Sequence, residues 1–184
     1  MENTITPGTL LISDPFLKDP NFVRTAILIC DHQLEGSFGF VLNKPKDNVL
    51  GDLIEDLHGN KFPVYFGGPV QTDTLHFVHQ CPDLITGGIE IMDGVYWGGD
   101  FADVINLLFR QELKPNQIRF FLGYSGWGEA QLQQEIDSRS WILSQCTKRL
   151  LFNTPPENTW KNSLQELGGE YKMMVNYPLD PQLN

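Results

Sequence analysis

The residues nearest to a chemical constellation lie in the run Phe120-Phe121-Leu122-Gly123-Tyr124-Ser125-Gly126-Trp127-Gly128, with Gln131 and Glu135 just beyond. Ser125 sits in Gly-Tyr-Ser-Gly-Trp, close to the nucleophile elbow G-x-S-x-G, whose two glycines relieve crowding around a strained serine. Here Trp127 takes the place of the final glycine, and its bulk is at odds with that geometry. A second chemistry is anion binding. An apolar strand that enters a glycine-rich turn and then a polar helix, beginning near Glu129, exposes backbone N–H groups suited to cradling an anion. The Glu129 carboxylate opposes that use. The plainer reading is a tight turn permitted by Gly123 and Gly126, with Tyr124 and Trp127 packed on it. Gln131 and Glu135 are four apart and share a helical face. They are expected to face solvent, the rim of a pocket being the alternative.

The remaining reactive side chains are dispersed. His32 follows a strand end, and His58 closes a helix where it suits the dipole. His76 and His79 are three apart on a strand and so point to opposite faces, which disfavours joint metal ligation. A metal centre needs three or four convergent ligands, so no metal site is expected, and no cofactor motif is read. Asn43-Lys44-Pro45 is first a turn signal, with Asn43 able to orient a ligand and Lys44 to meet a carboxylate or phosphate. Gly67-Gly68-Pro69 reads as a bend tight against a neighbouring backbone, or as a point of ligand approach. Cys30 lies in an apolar run as a small hydrophobe. Asp52, Glu55 and Asp56 share the polar side of a helix and form no acid–base pair.

Alternating short elements must position these groups. Apolar runs predict strands at 9–12, 25–30 and 38–42, the second and third joined as a hairpin across the polar stretch 31–37. Val49, Leu50, Leu53, Ile54 and Leu57 have helical spacing, ended by His58-Gly59-Asn60. Strands are expected at 63–66, 74–80, 85–92 (interrupted by Gly87-Gly88), 95–97, 118–122 and 140–146. Asp100 caps a helix carrying Phe101, Val104, Ile105, Leu107 and Leu108 that ends before Pro115. Thr154-Pro155-Pro156-Glu157 reads as a capping box with Pro155 in the first helical position, opening a helix with Trp160, Leu164 and Leu167 on one face and Gly168 at its end. The tail after residue 177 is expected to be loosely held. Hairpin-like neighbours favour an antiparallel or mixed sheet over a regular βαβ series.

Composition bounds the function. The 184 residues suit one domain, and 41% hydrophobic residues suit a globular core. The net charge of −10, with scattered Lys and Arg, argues against generic nucleic-acid binding. No apolar run is long enough to span a bilayer, and Met1-Glu2-Asn3-Thr4 lacks a basic leader, so no membrane partner and a cytoplasmic location are expected. Cys30, Cys81 and Cys146 are too few and too widely spaced for a disulfide framework or zinc knuckle.

Several ordered segments resemble the YqgE/AlgH family of bacterial proteins. They are Gly8 to Ile12 with Asp14-Pro15 and Phe22; His32; Gly36, Gly39, Val41 and Asn43-Lys44-Pro45; Tyr65 to Val70; and Leu122 to Trp127 with Gln131-Leu132, Glu135 and Trp141. The resemblance spans about residues 8–168. It implies an α+β domain with a mostly antiparallel, barrel-like sheet flanked by helices, and it brings no established biochemical activity. One branch is named for a proposed role in alginate regulation, a genetic label and not a mechanism. The family commonly carries Ala where this chain has Ser125, which weighs against a nucleophile. The reading is a cytoplasmic, non-catalytic regulatory or binding protein that acts through a protein partner or small ligand. The alternatives are an enzyme of unrecognised class, with its site near His32, Asn43 and 123–127, and a transcriptional regulator, which the charge opposes as a direct DNA binder. The ligand- or partner-binding positions are His32, Asn43, Lys44, Gly67, Gly68, Gly123, Tyr124, Ser125, Gly126, Trp127 and Gln131.

Overall fold

A computed structural model describes residues 4–179. Its strands are β1 (Thr9–Ser13), β2 (Ala26–Gln33), β3 (Gly36–Val41), β4 (Pro45–Val49), β5 (Pro63–Phe66), β6 (Val70–His79), β7 (Ile89–Met92), β8 (Val95–Trp97), β9 (Ile118–Gly128) and β10 (Trp141–Gln145). Its α-helices are α1 (Leu50–Leu53), α2 (Phe101–Phe109), α3 (Gln131–Asp137), α4 (Pro156–Leu167) and α5 (Tyr171–Met174). The strands form one curled sheet in the order β10-β1-β2-β3-β9-β6-β8-β7, with β4 and β5 branching at β9. Every pairing is antiparallel except β5 with β9. The fold is therefore the α+β, mostly antiparallel, half-barrel arrangement expected. The β2–β3 hairpin forms as read, with Gln33 opposite Gly36 across Leu34-Glu35.

Side-chain alternation divides the core by face. Leu10, Leu28, Phe40, Phe121 and Val78 share one face of the sheet, and Leu151, Trp160 and Leu164 cover it. On the other face Leu11, Ile27, Ile29 and Val41 meet Leu132 of α3 with Trp127 and Trp141. Farther along, Val64, Phe77 and Phe120 meet Val104, Leu107 and Leu108 of α2. Asp100 caps α2 as expected, its carboxylate accepting from the Ala102 amide at 2.8 Å.

Four local expectations change. The helix read across 49–57 stops after one turn because Ile54 is extended (φ −127°, ψ 114°), and Leu57 re-enters the core from a 3-10 turn, Glu55–Leu57. Only 89–92 of the strand read at 85–92 forms. Thr86 donates both its amide and its hydroxyl to Asp103 of α2, which folds the preceding residues into a turn. Thr154 does not cap α4: its hydroxyl donates to the Arg149 carbonyl at 2.9 Å, closing a π-helical turn (Arg149–Asn153). Pro155 is the N-cap residue and Pro156 the first helical one. The expected loose tail falls mostly on residues 180–184, outside the described residues.

Candidate functional site

The glycine-aromatic run is a strand and not a turn. β9 continues unbroken to Gly128, with Ser125 opposite Gly39, Gly126 opposite Phe38 and Trp127 opposite Ser37. Its amides belong to a β-ladder, so the anion cradle read there does not exist. Local composition missed this because the partner strand lies some ninety residues earlier in the chain. β9 changes neighbours on one edge, from β5 at Phe120–Leu122 to β3 at Ser125–Gly128, and Gly123 makes the step with φ +70°. Gly126 has no positive φ. Ser125 is fully buried, and its hydroxyl donates to the Gly67 carbonyl at 3.1 Å.

Beside this run opens a groove of about 640 Å³. Phe38 of β3, Val70 and His76 of β6, Trp97 at the end of β8 and Tyr124 of β9 form its apolar wall, with Gly126 and Trp127 beside them. The rings pack edge to face: Phe38 lies 4.7 Å from Trp97 and 5.9 Å from Tyr124, centroid to centroid. The β2–β3 hairpin sets Asp31, Gln33 and Glu35 along one side. Neither carboxylate has an ion-pair partner, since the only ion pair among the described residues joins Arg149 to Glu166. His76 sits between Phe40 and Tyr124, and its Nε2 is sealed without a hydrogen-bond partner among the described residues. Burial lowers its pKa below the ordinary value, keeping it neutral at neutral pH.

Of the positions singled out from sequence, only some line this groove. Tyr124, Gly126 and Trp127 line the groove. His32 lies on the hairpin that edges it, its Nδ1 2.6 Å from the Ser37 hydroxyl. Asn43 stands at the other end of that hairpin, six residues beyond Ser37, or about 20 Å of strand. Its amide donates to the Arg24 carbonyl and its oxygen accepts from the Ala26 amide. The Lys44 ammonium donates to the Pro20 and Asn21 carbonyls and rests over the Phe66 ring. Gly67 and Gly68 lie against β9, where a Cβ on Gly68 would stand 2.1 Å from the Tyr124 carbonyl carbon, so the tight bend against a neighbouring backbone is real.

Gln131 and Glu135 do not simply face solvent. Glu135 accepts from the indole of Trp127 at 2.9 Å, the indole of Trp141 at 2.7 Å and the Gln131 amide at 3.0 Å, while Gln131 accepts from the Gly128 amide. They belong to a second, smaller cavity of about 280 Å³, with Phe22 and Leu17. Sequence reading missed Phe38, Val70, His76 and Trp97 as groove residues. Phe38, His76 and Trp97 each sat in an expected strand and Val70 at the end of an expected turn, and only the strand order brings β3, β6, β8 and β9 together. No cluster of three or more metal-ligating side chains exists among the described residues. No helix there is long and apolar enough to cross a membrane.

Curled sheet, plugging α4 and open aromatic groove define a small α+β domain with a built concave surface. The chain belongs to the AlgH-like family, whose family model matches residues 10–172. It is 43% identical to a UPF0301 protein of Chlorobium limicola over 180 residues, covering 98% of this chain and 96% of that one. It is 40% identical to a UPF0301 protein of Cytophaga hutchinsonii, covering 98% and 100%. Among solved structures, the AlgH protein of Pseudomonas aeruginosa is similar with a TM-score of 0.74 at 25% identity, covering 97% of each chain. A Corynebacterium diphtheriae protein shares the fold with a TM-score of 0.76 at 20% identity, covering 96% of this chain and 95% of that one.

Proposed function

We propose that this is a non-catalytic binding protein of the bacterial cytoplasm, with a regulatory role, which takes up a segment of a partner protein that carries a positively charged side chain among apolar ones. One observation carries the reading: the wall of Phe38, Trp97 and Tyr124 runs beside the carboxylates of Asp31 and Glu35, which have no ion-pair partner among the described residues. Aromatic faces attract a cation through their quadrupoles, and carboxylates beside them strengthen the pull while the apolar wall supplies burial. The overall charge of −10 favours a basic partner and disfavours duplex DNA. Ser125 is sealed within the sheet and does not open on the groove, which speaks for binding over acyl chemistry there.

The test uses two labelled peptides, one alternating leucine with arginine and one alternating leucine with glutamate. The basic peptide is expected to bind and to perturb Trp97 fluorescence. The double substitution Asp31→Asn, Glu35→Gln weakens it about tenfold, equivalent to about 1.4 kcal/mol. Equal binding of the acidic peptide, or an unchanged affinity in the neutralised variant, overturns the reading.

A further inference from the structure

We propose that Arg119 anchors a second site, a small cleft that takes an oxyanion, either a carboxylate or a phosphate group. Arg119 belongs to the apolar first half of β9 and is only 7% exposed. Its guanidinium lies 3.9 Å above the Tyr65 ring. Among the described residues it makes one hydrogen bond, Nη1 to the Leu151 carbonyl at 2.7 Å, and no ion pair. A guanidinium has five N–H donors, and a buried charge without a counter-ion is costly. None of its nitrogens is both sealed from solvent and unpartnered. Its other nitrogens thus keep contact with solvent, and Arg119 lines a cleft of about 230 Å³. Arg24 differs: its guanidinium donates to the Tyr177 carbonyl and lies over the Trp160 ring, and its Nε is sealed with no partner among the described residues.

The cleft lacks any carboxylate of its own. Pro63, Pro115, Phe152 and Pro155 form its walls, and Asn153 stands exposed at its rim. The Thr154 hydroxyl is already spent on the Arg149 carbonyl. One buried cation, a rim amide and apolar walls suit a small anion whose two oxygens meet the guanidinium edge. The site is separate from the groove: Arg119 and Tyr124 are five residues apart on β9, about 17 Å along the strand.

Thermal unfolding of the full chain tests this, with sodium phosphate and sodium acetate each compared against sodium chloride at equal ionic strength. At about five times its dissociation constant, a bound oxyanion raises the Tm by about 2–4 °C. A response to phosphate alone assigns a phosphate group, and one to acetate alone assigns a carboxylate. Arg119→Met is expected to abolish the increment. Asn153→Asp changes only an exposed side chain and sets a repelling charge at the rim, so it keeps the test decisive if the first variant does not fold. Neither oxyanion exceeding chloride, or an increment that survives in both variants, overturns the proposal.

Discussion

At Gly123 the backbone takes φ +70°, and a Cβ would stand 2.5 Å from the Gly68 carbonyl oxygen. Both facts penalise a side chain: the dihedral strains an L-residue, and the obstructing atom is backbone that cannot swing aside. Gly123→Ala is expected to cost on the order of 3 kcal/mol. Gly126 looks equivalent in the sequence, yet its nearest neighbour would be the Tyr124 ring at 3.2 Å, a side chain able to shift. Gly126→Ala should cost about 1 kcal/mol or less. Ser125→Ala removes a hydroxyl from the Gly67 carbonyl, which still accepts the Val41 amide at 2.9 Å, so about 1 kcal/mol is the expected loss. Urea denaturation of the three variants ranks them. Equal losses at 123 and 126 would contradict the role assigned to Gly123.

α3 is seven residues long, follows Ala130 at φ 58° and has no side-chain cap. Helices this short are marginal alone, so tertiary contacts must hold it. Leu132 supplies the apolar anchor and Glu135 the polar one, joining α3 to Trp127 of β9 and Trp141 of β10. Removing the carboxylate strands two indole N–H groups in a partly buried setting. Glu135→Ala is expected to destabilise by about 3 kcal/mol, and Glu135→Gln, which keeps one acceptor oxygen, by roughly half as much. Denaturation followed through tryptophan emission reads both the loss and the local change around Trp127 and Trp141. An alanine variant as stable as the parent would make Glu135 a surface residue after all.

For the molecule as a whole, two histidines tie stability to pH. Burial lowers the pKa of both His76 and His79 below the ordinary 6.5, with a bond to the Gly98 carbonyl partly opposing this at His79. The unfolded chain then binds protons at a pH where the folded one does not, so stability rises with pH through that window. It is complete above about 6.5 and declines as pH falls toward the depressed folded-state values. The Tm is therefore expected to drop between pH 7.5 and 5.5, and His76→Phe should flatten part of the slope. An unchanged slope in that variant would remove His76 from the account.

Most elements were legible because their signals are local. Short apolar runs marked β1, β2, β3, β5 and the start of β9. Asp100 announced α2, and Gly168 the end of α4 with φ +73°. The family was legible too, since ordered short motifs survive without any knowledge of pairing. Tertiary structure alone decided the site. A period of two says which residues share a face of a strand but not which strands lie side by side. Strand order set Phe38, Trp97 and Tyr124 around one groove, and separated His32 from Asn43 along a single hairpin. Long-range pairing also turned the apparent glycine turn into β9, because β3 claims 125–128 as a ladder partner. Arg119, one basic residue in an apolar strand, became a candidate anion anchor only when Tyr65, Leu151 and the proline-walled cleft closed around it.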